Sequence, residues 1–212
     1  MMRTDELIAS LAADPRPVRN ATSRIAWALA VGALLALAGL VIALGSPVGP
    51  IEARGLFASA LKVAYPLCVS LIAAAAAIAA GRPGARIGPR AAWFALPILY
   101  VSILAVVDLA AAPPAAWGGM ATGTTYTLCL LAVMLGALPA LMALIWAFRA
   151  LAPTRLPSAG FLIGLAAGGA SAVAYALYCP ETSPVFLLAA YTPAMLIPAF
   201  AGAAVAKQLL RW

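Results

Sequence analysis

Long apolar runs alternate with short connectors rich in Gly and Pro, and the runs fall at residues 25–44, 57–80, 91–112, 125–148, 158–178 and 185–206. An α-helix rises about 1.5 Å per residue, so roughly twenty residues cross the hydrocarbon of a bilayer, and every run reaches that length. The pattern predicts an all-α fold: a polytopic membrane protein of six transmembrane helices, with neighbours antiparallel because the connectors are short. It divides the chain into an N-terminal segment, 1–24, a six-helix domain, 25–206, and a C-terminal tail, 207–212.

The first 24 residues are too long and too mixed in charge for the leading region of a signal peptide, and the run behind them exceeds the apolar core of one. Within them, Thr4 can cap a short helix with Asp5 and Glu6 in its first turn. Leu7, Ile8 and Leu11 share one face of that helix, and Pro15 and Pro17 end it. So short a helix is marginal in water and orders against a partner or a membrane surface.

Composition supports the membrane reading, since 66% of the 212 residues are hydrophobic and only 9% charged. The formal charge of +7 does not point to direct nucleic-acid binding, because the basic residues are not gathered into a patch with interleaved aromatics. They lie between the apolar runs, where the positive-inside rule uses them. If the N-terminus is cytoplasmic, the cytoplasmic segments hold eleven of the thirteen, including Arg24, Arg82, Arg149, Arg155 and Lys207, and only Arg54 and Lys62 fall on the other side. Both termini are therefore expected in the cytoplasm, and Cys179 at the opposite face. Trp27, Trp93 and Trp146 near cytoplasmic helix ends, and Trp117 in an outer connector, fit interfacial belts. The chain has no histidine, which excludes Ser-His-Asp hydrolysis, HExxH zinc chemistry and histidine-ligated haem. No enzyme activity is expected.

Candidate functional residues fall into four groups. Gly160, Gly164 and Gly168 recur every four residues in the fifth run and give one helix face on which a neighbour can approach closely, for packing or for movement. Lys62 and Asp108 lie at matching depth near the outer ends of the second and third runs, and either pair or both reach outer water. Among the cysteines, Cys68 in mid-helix reads as a small buried apolar residue. Cys129 and Cys179 lie at similar depth near the outer face, within reach of an oxidising compartment. They could form a disulfide, bind a soft metal ion, or react with an oxidant. The identity of any metal is open. On the cytoplasmic side, Leu7, Ile8, Leu11 and the basic loop carrying Arg149 and Arg155 form a candidate partner-binding surface.

The stretches APTRLPSAGFLIGLAAG and YCPETSPVFLLAAYTPAMLIPAFAGAAVAKQLLRW, with the opening TDELIASLAADPRPVR, resemble the NrsF family of bacterial six-helix membrane proteins, the negative regulators of sigma factor F. The likeness covers the whole chain in length, helix count and spacing. It is most specific at Ala152-Pro153-Thr154-Arg155, at Cys179-Pro180-Glu181 with Ser183-Pro184, and at Leu210-Arg211-Trp212. It implies an inner-membrane anti-sigma factor that holds an extracytoplasmic-function sigma factor and releases it under periplasmic stress, with Cys129 and Cys179 as the sensing thiols and no resident cofactor beyond a transient heavy-metal ion. Tyr178 stands where the resemblance would place a histidine, and Ala190 precedes Tyr191 where the family often carries an aromatic pair. Both departures count against a metal ligated there. The cytoplasmic segments lack the His and paired-Cys pattern of a zinc-binding anti-sigma domain.

The competing reading is a small transporter or channel, favoured by six helices and by Pro66, Pro97, Pro139, Pro193 and Pro198, which can bend helices around a site. Against it stand the lack of a charge near the bilayer centre and of a repeat between the two halves. A thiol oxidoreductase would want Cys-x-x-Cys, which is absent.

Overall fold

A computed structural model describes residues 21–45, 56–82, 88–149, 151, 153 and 155–209, together with 4, 6, 9 and 13. Among the described residues there are six long helices: α1 (Ala21–Leu44), α2 (Leu56–Ala80), α3 (Ala95–Ala111), α4 (Tyr126–Phe148), α5 (Leu156–Ala176) and α6, which begins at Pro184 and ends at Leu209. All six are long and apolar enough to cross a membrane. The expected runs and the helices agree within a few residues, because a stretch that must satisfy its own backbone hydrogen bonds in hydrocarbon has no alternative to a helix. Thr4, Glu6, Ala9 and Ala13 are helical and exposed, whereas Leu7, Ile8 and Leu11 lie outside the described residues.

Side-chain contacts fix which helix ends lie together. At one end Arg24 stacks on Trp146 at 5.3 Å, Gly81 approaches Leu151, and Arg149 Nε donates to Leu209 O at 3.1 Å. At the other, the Tyr178 hydroxyl donates to Gly45 O at 3.1 Å, Lys62 Nζ to Cys179 O at 2.8 Å, and Ser183 Oγ to Asp108 Oδ2 at 2.7 Å. The helices therefore run alternately up and down, and residues 21 and 209 emerge at the same end. We call the two ends the arginine end and the cysteine end.

α5 is the axis of the bundle, with nearly every residue buried and with α1, α2, α4 and α6 around it. Its composition, rich in Gly, Ala and Ser, explains the position, because only small side chains let four neighbours approach one helix. α6 makes its most extensive contact with α5, and Gly160, Gly164 and Gly168 are where it does so. A Cβ on Gly160 or Gly164 would overlap the carbonyl oxygens of Gly202 or Pro198, and one on Gly168 would lie 2.9 Å from Met195 O. The next residue, Gly169, faces α2 instead, where a Cβ would come 2.7 Å from Ser70 Cβ. α3 is the outlier: only Val101 and Ala105 are buried, and Leu96, Leu99, Ile103, Val106 and Val107 face outward. Core and lipid are both apolar, so the chain shows no amphipathic pattern by which these two kinds of helix could be told apart.

One expectation is corrected. Cys68 is exposed on the bundle surface and not buried, because it falls on a face of α2 that no other helix covers among the described residues. The connector between α3 and α4 is largely helical, with a 3-10 turn at Pro114–Ala116 and a helix at Trp117–Thr122. Trp117 Nε1 donates there to the carbonyls of Leu109 (3.0 Å) and Ala112 (3.3 Å) at the end of α3, where Leu109 O also accepts from Ala112 N at 3.2 Å.

Candidate functional site: a buried thiol pair under a fastened loop

Cys129 sits in the first turn of α4, its N–H bonded to Thr125 O at 2.8 Å. Cys179 lies just past α5, in the loop 178–183 that leads to α6. Neither cysteine is in a disulfide, both are 0% exposed, and they lie within electrostatic reach of one another. The structure therefore brings the two residues together, as the sequence suggested, but encloses them. An oxidant or metal ion in the adjacent compartment meets neither sulfur unless the loop moves.

Three side chains from three other helices close the space. Lys62 from α2 is 3% exposed and donates to the Cys179 carbonyl, so it does not snorkel to water as one expectation had it. Tyr175 from α5 and Tyr191 from α6 are fully buried, with ring centroids 6.2 Å apart, and both lie within electrostatic reach of the two thiols. The Tyr191 hydroxyl faces Cys179 yet has no hydrogen-bond partner of full geometry. Tyr191 closes a π-helical turn, Leu187–Tyr191, which widens the start of α6. Such single turns insert one extra residue into a helix and re-aim the side chains around it. Thr192, the next residue, shares a 2.7 Å hydrogen bond with Tyr65 of α2.

The loop is fastened on every side. Besides the Lys62 and Tyr178 bonds, Glu181 Oε1 accepts from Thr124 N and from Thr124 Oγ1, each at 2.8 Å. Ser183 Oγ, while donating to Asp108, accepts from Val185 N at 3.2 Å and so caps the start of α6. Lys62 and Asp108, which the sequence placed at matching depth, are thus both engaged by this one loop, at positions four residues apart. Sequence reasoning gave no site role to Glu181, Thr124, Ser183 or Tyr191. The signals within reach were that Glu181 and Ser183 stand in a stretch that carries the family resemblance, and that Glu181, among only six acidic residues in the chain, stands two residues from a cysteine.

At the arginine end, Arg82, Arg149, Arg155 and Lys207 are exposed. Trp27, Trp93 and Trp146 are exposed near them, at 70%, 60% and 65%. Among the described residues no group of three or more His, Cys, Asp or Glu side chains is placed to hold a metal ion.

The family model described as "Negative regulator of sigma F" matches residues 11–212. A "Probable anti-sigma-F factor NrsF" of Azospira oryzae is 32% identical over the full length of both chains, and an "Anti-sigma-F factor NrsF" of Caulobacter vibrioides is 31% identical, also over the full length of both. No solved structure matches the chain. Those relatives are named as regulators, not as enzymes.

Proposed function

Because the chain belongs to the NrsF family of negative regulators of sigma F, we propose that it is an anti-sigma factor of the bacterial inner membrane that holds an extracytoplasmic-function sigma factor at its arginine end. Release follows when Cys129 and Cys179, facing the periplasm at the other end, are modified by a soft metal ion or an oxidant. The observation that carries this reading is the separation of charge and thiols to opposite ends of one bundle. Exposed Arg82, Arg149, Arg155 and Lys207 gather at one end, and the cysteine pair lies at the other. The positive-inside rule makes the first end cytoplasmic.

The relay between the ends runs along two helices. α5 connects the loop of Cys179 to Arg155, and its glycine face lies against α6, whose last described carbonyl, Leu209 O, is held by Arg149. Backbone-to-backbone packing leaves no side chain to absorb a displacement, so a shift of the loop is passed on to the cytoplasmic surface. That surface includes the apolar face of Leu7, Ile8 and Leu11, which docks as a helix in a groove of the sigma factor. A modification moves this equilibrium only by its difference in affinity for the two states, which the enclosure of both thiols provides: the modified sulfur fits the open arrangement better than the closed one.

A sigma-dependent reporter in cells carrying Cys129→Ser or Cys179→Ser tests the sensing half. Stress induction should fall in both, and unchanged induction removes the thiols from the signal. Deletion of residues 3–18 tests the docking half, since the truncated protein should no longer co-purify with the sigma factor.

A further inference from the structure

The fastenings of the loop 178–183 differ in one respect, which is their access to water. The Lys62 bond to Cys179 O is buried, and the Tyr178–Gly45 and Ser183–Asp108 bonds are partly buried. Of these fastenings among the described residues, the two bonds that Glu181 accepts from Thr124 are the exposed ones. The turn that receives the carboxylate is shaped for it. Gly123 has φ +53, and a Cβ there would come 2.6 Å from the carboxyl carbon, so no other residue leaves room for Glu181 without strain. The placement along the chain matters as much. Glu181 is two residues beyond Cys179, and Thr124 is five residues before Cys129, so this contact joins the segments that carry the two thiols.

We propose that Glu181 is the positioning residue that controls access to the thiol pair: its carboxylate, clasped on the Gly123–Thr124 turn, keeps the loop closed over Cys129 and Cys179, and loss of the clasp opens the site from the solvent side. The thiol-sensing function supplies the biological use of this clasp, but the clasp is tested without it. The exposed bonds are the ones for which water competes directly, so they break first in any local opening, while the buried Lys62 bond holds the loop near its place. An opening of this kind lets a reagent in without unfolding the bundle.

The test is the rate at which a membrane-impermeant maleimide modifies Cys129 and Cys179 in the full-length protein, in membranes and in detergent. A Cys68→Ser parent is used, because Cys68 is exposed and would react. Glu181→Gln should raise the rate about tenfold, the factor expected from losing one charge-assisted hydrogen bond. Thr124→Val, which removes the hydroxyl bond and keeps the backbone N–H, should raise it by a smaller factor. Asp108→Asn is the comparator: it weakens a fastening of the same loop on the side away from α4 and should change the rate little. Thermal unfolding midpoints are measured alongside. Rates equal to the parent in both Glu181→Gln and Thr124→Val overturn the proposal, and so does a rise that tracks loss of thermal stability equally in Glu181→Gln and Asp108→Asn. If Glu181→Gln does not fold, Thr124→Val alone decides. Reporter induction is not used, so a failed sensing function and a failed clasp give different results.

Discussion

Lys62 and Tyr191 border the same buried space and should respond to substitution with opposite signs. Lys62→Met keeps the length of the side chain but leaves the Cys179 carbonyl without the buried ammonium that it accepts from at 2.8 Å. A hydrogen bond to a charged group is worth about 1.5–3 kcal/mol, so the thermal midpoint in detergent should fall measurably. Tyr191→Phe removes a fully buried hydroxyl that faces the Cys179 thiol without a hydrogen bond of full geometry, and a desolvated, poorly satisfied group costs about 1–3 kcal/mol. The Phe variant should therefore be at least as stable as the parent. A clear loss of stability in Tyr191→Phe would mean that the hydroxyl is bonded to Cys179 after all. At this scale the sequence was legible in part. Cys129 and Cys179, and separately Lys62 and Asp108, could be placed at matching depth from run lengths alone, since in a membrane position along a helix is depth. Their partners could not, because Lys62 meets a backbone carbonyl 117 residues away, and backbone acceptors carry no residue identity to read.

Between helices, the glycine face of α5 separates packing from propensity. Gly164→Ala adds a Cβ that overlaps the Pro198 carbonyl, and backbone cannot swing aside as a side chain would. Forcing α5 and α6 apart should cost about 1–3 kcal/mol, read as a lower unfolding midpoint in detergent. Gly39→Ala on α1 is the control, for a Cβ there meets nothing within 4 Å. That variant should unfold no earlier than the parent, since Ala is the better helix former. The four-residue spacing of Gly160, Gly164 and Gly168 made this face visible in advance, because a stripe of missing side chains is a pattern in the letters. That the partner is α6 and that α3 is peripheral was not visible. A helix turned to lipid and one turned to the core are both apolar throughout, so only the contacts tell them apart. The π-helical turn at Leu187–Tyr191 was hidden for a related reason, as every residue in it is an ordinary helix-compatible apolar or aromatic side chain.

For the molecule as a whole, sidedness decides whether the two ends can act as sensor and effector. The contacts fix that residues 21 and 209 share an end and that both buried thiols belong to the other, and the proposed compartments rest on reading the exposed charges of Arg82, Arg149, Arg155 and Lys207 by the positive-inside rule. Two single-cysteine reporters test the assignment on a background in which Cys68, Cys129 and Cys179 are replaced by Ser. Gly119→Cys lies in the short helix between α3 and α4 at the cysteine end, where an added side chain meets nothing within 4 Å. Gln208→Cys is exposed at the arginine end of α6 and leaves every charge in place. In intact cells with a permeabilised outer membrane, an impermeant maleimide should label Gly119→Cys and spare Gln208→Cys until the inner membrane is broken. The reverse pattern would put the thiols in the reducing cytoplasm and the basic surface outside, where no sigma factor could be held. A bundle of six alternating helices has only these two orientations, so either result assigns every connector at once.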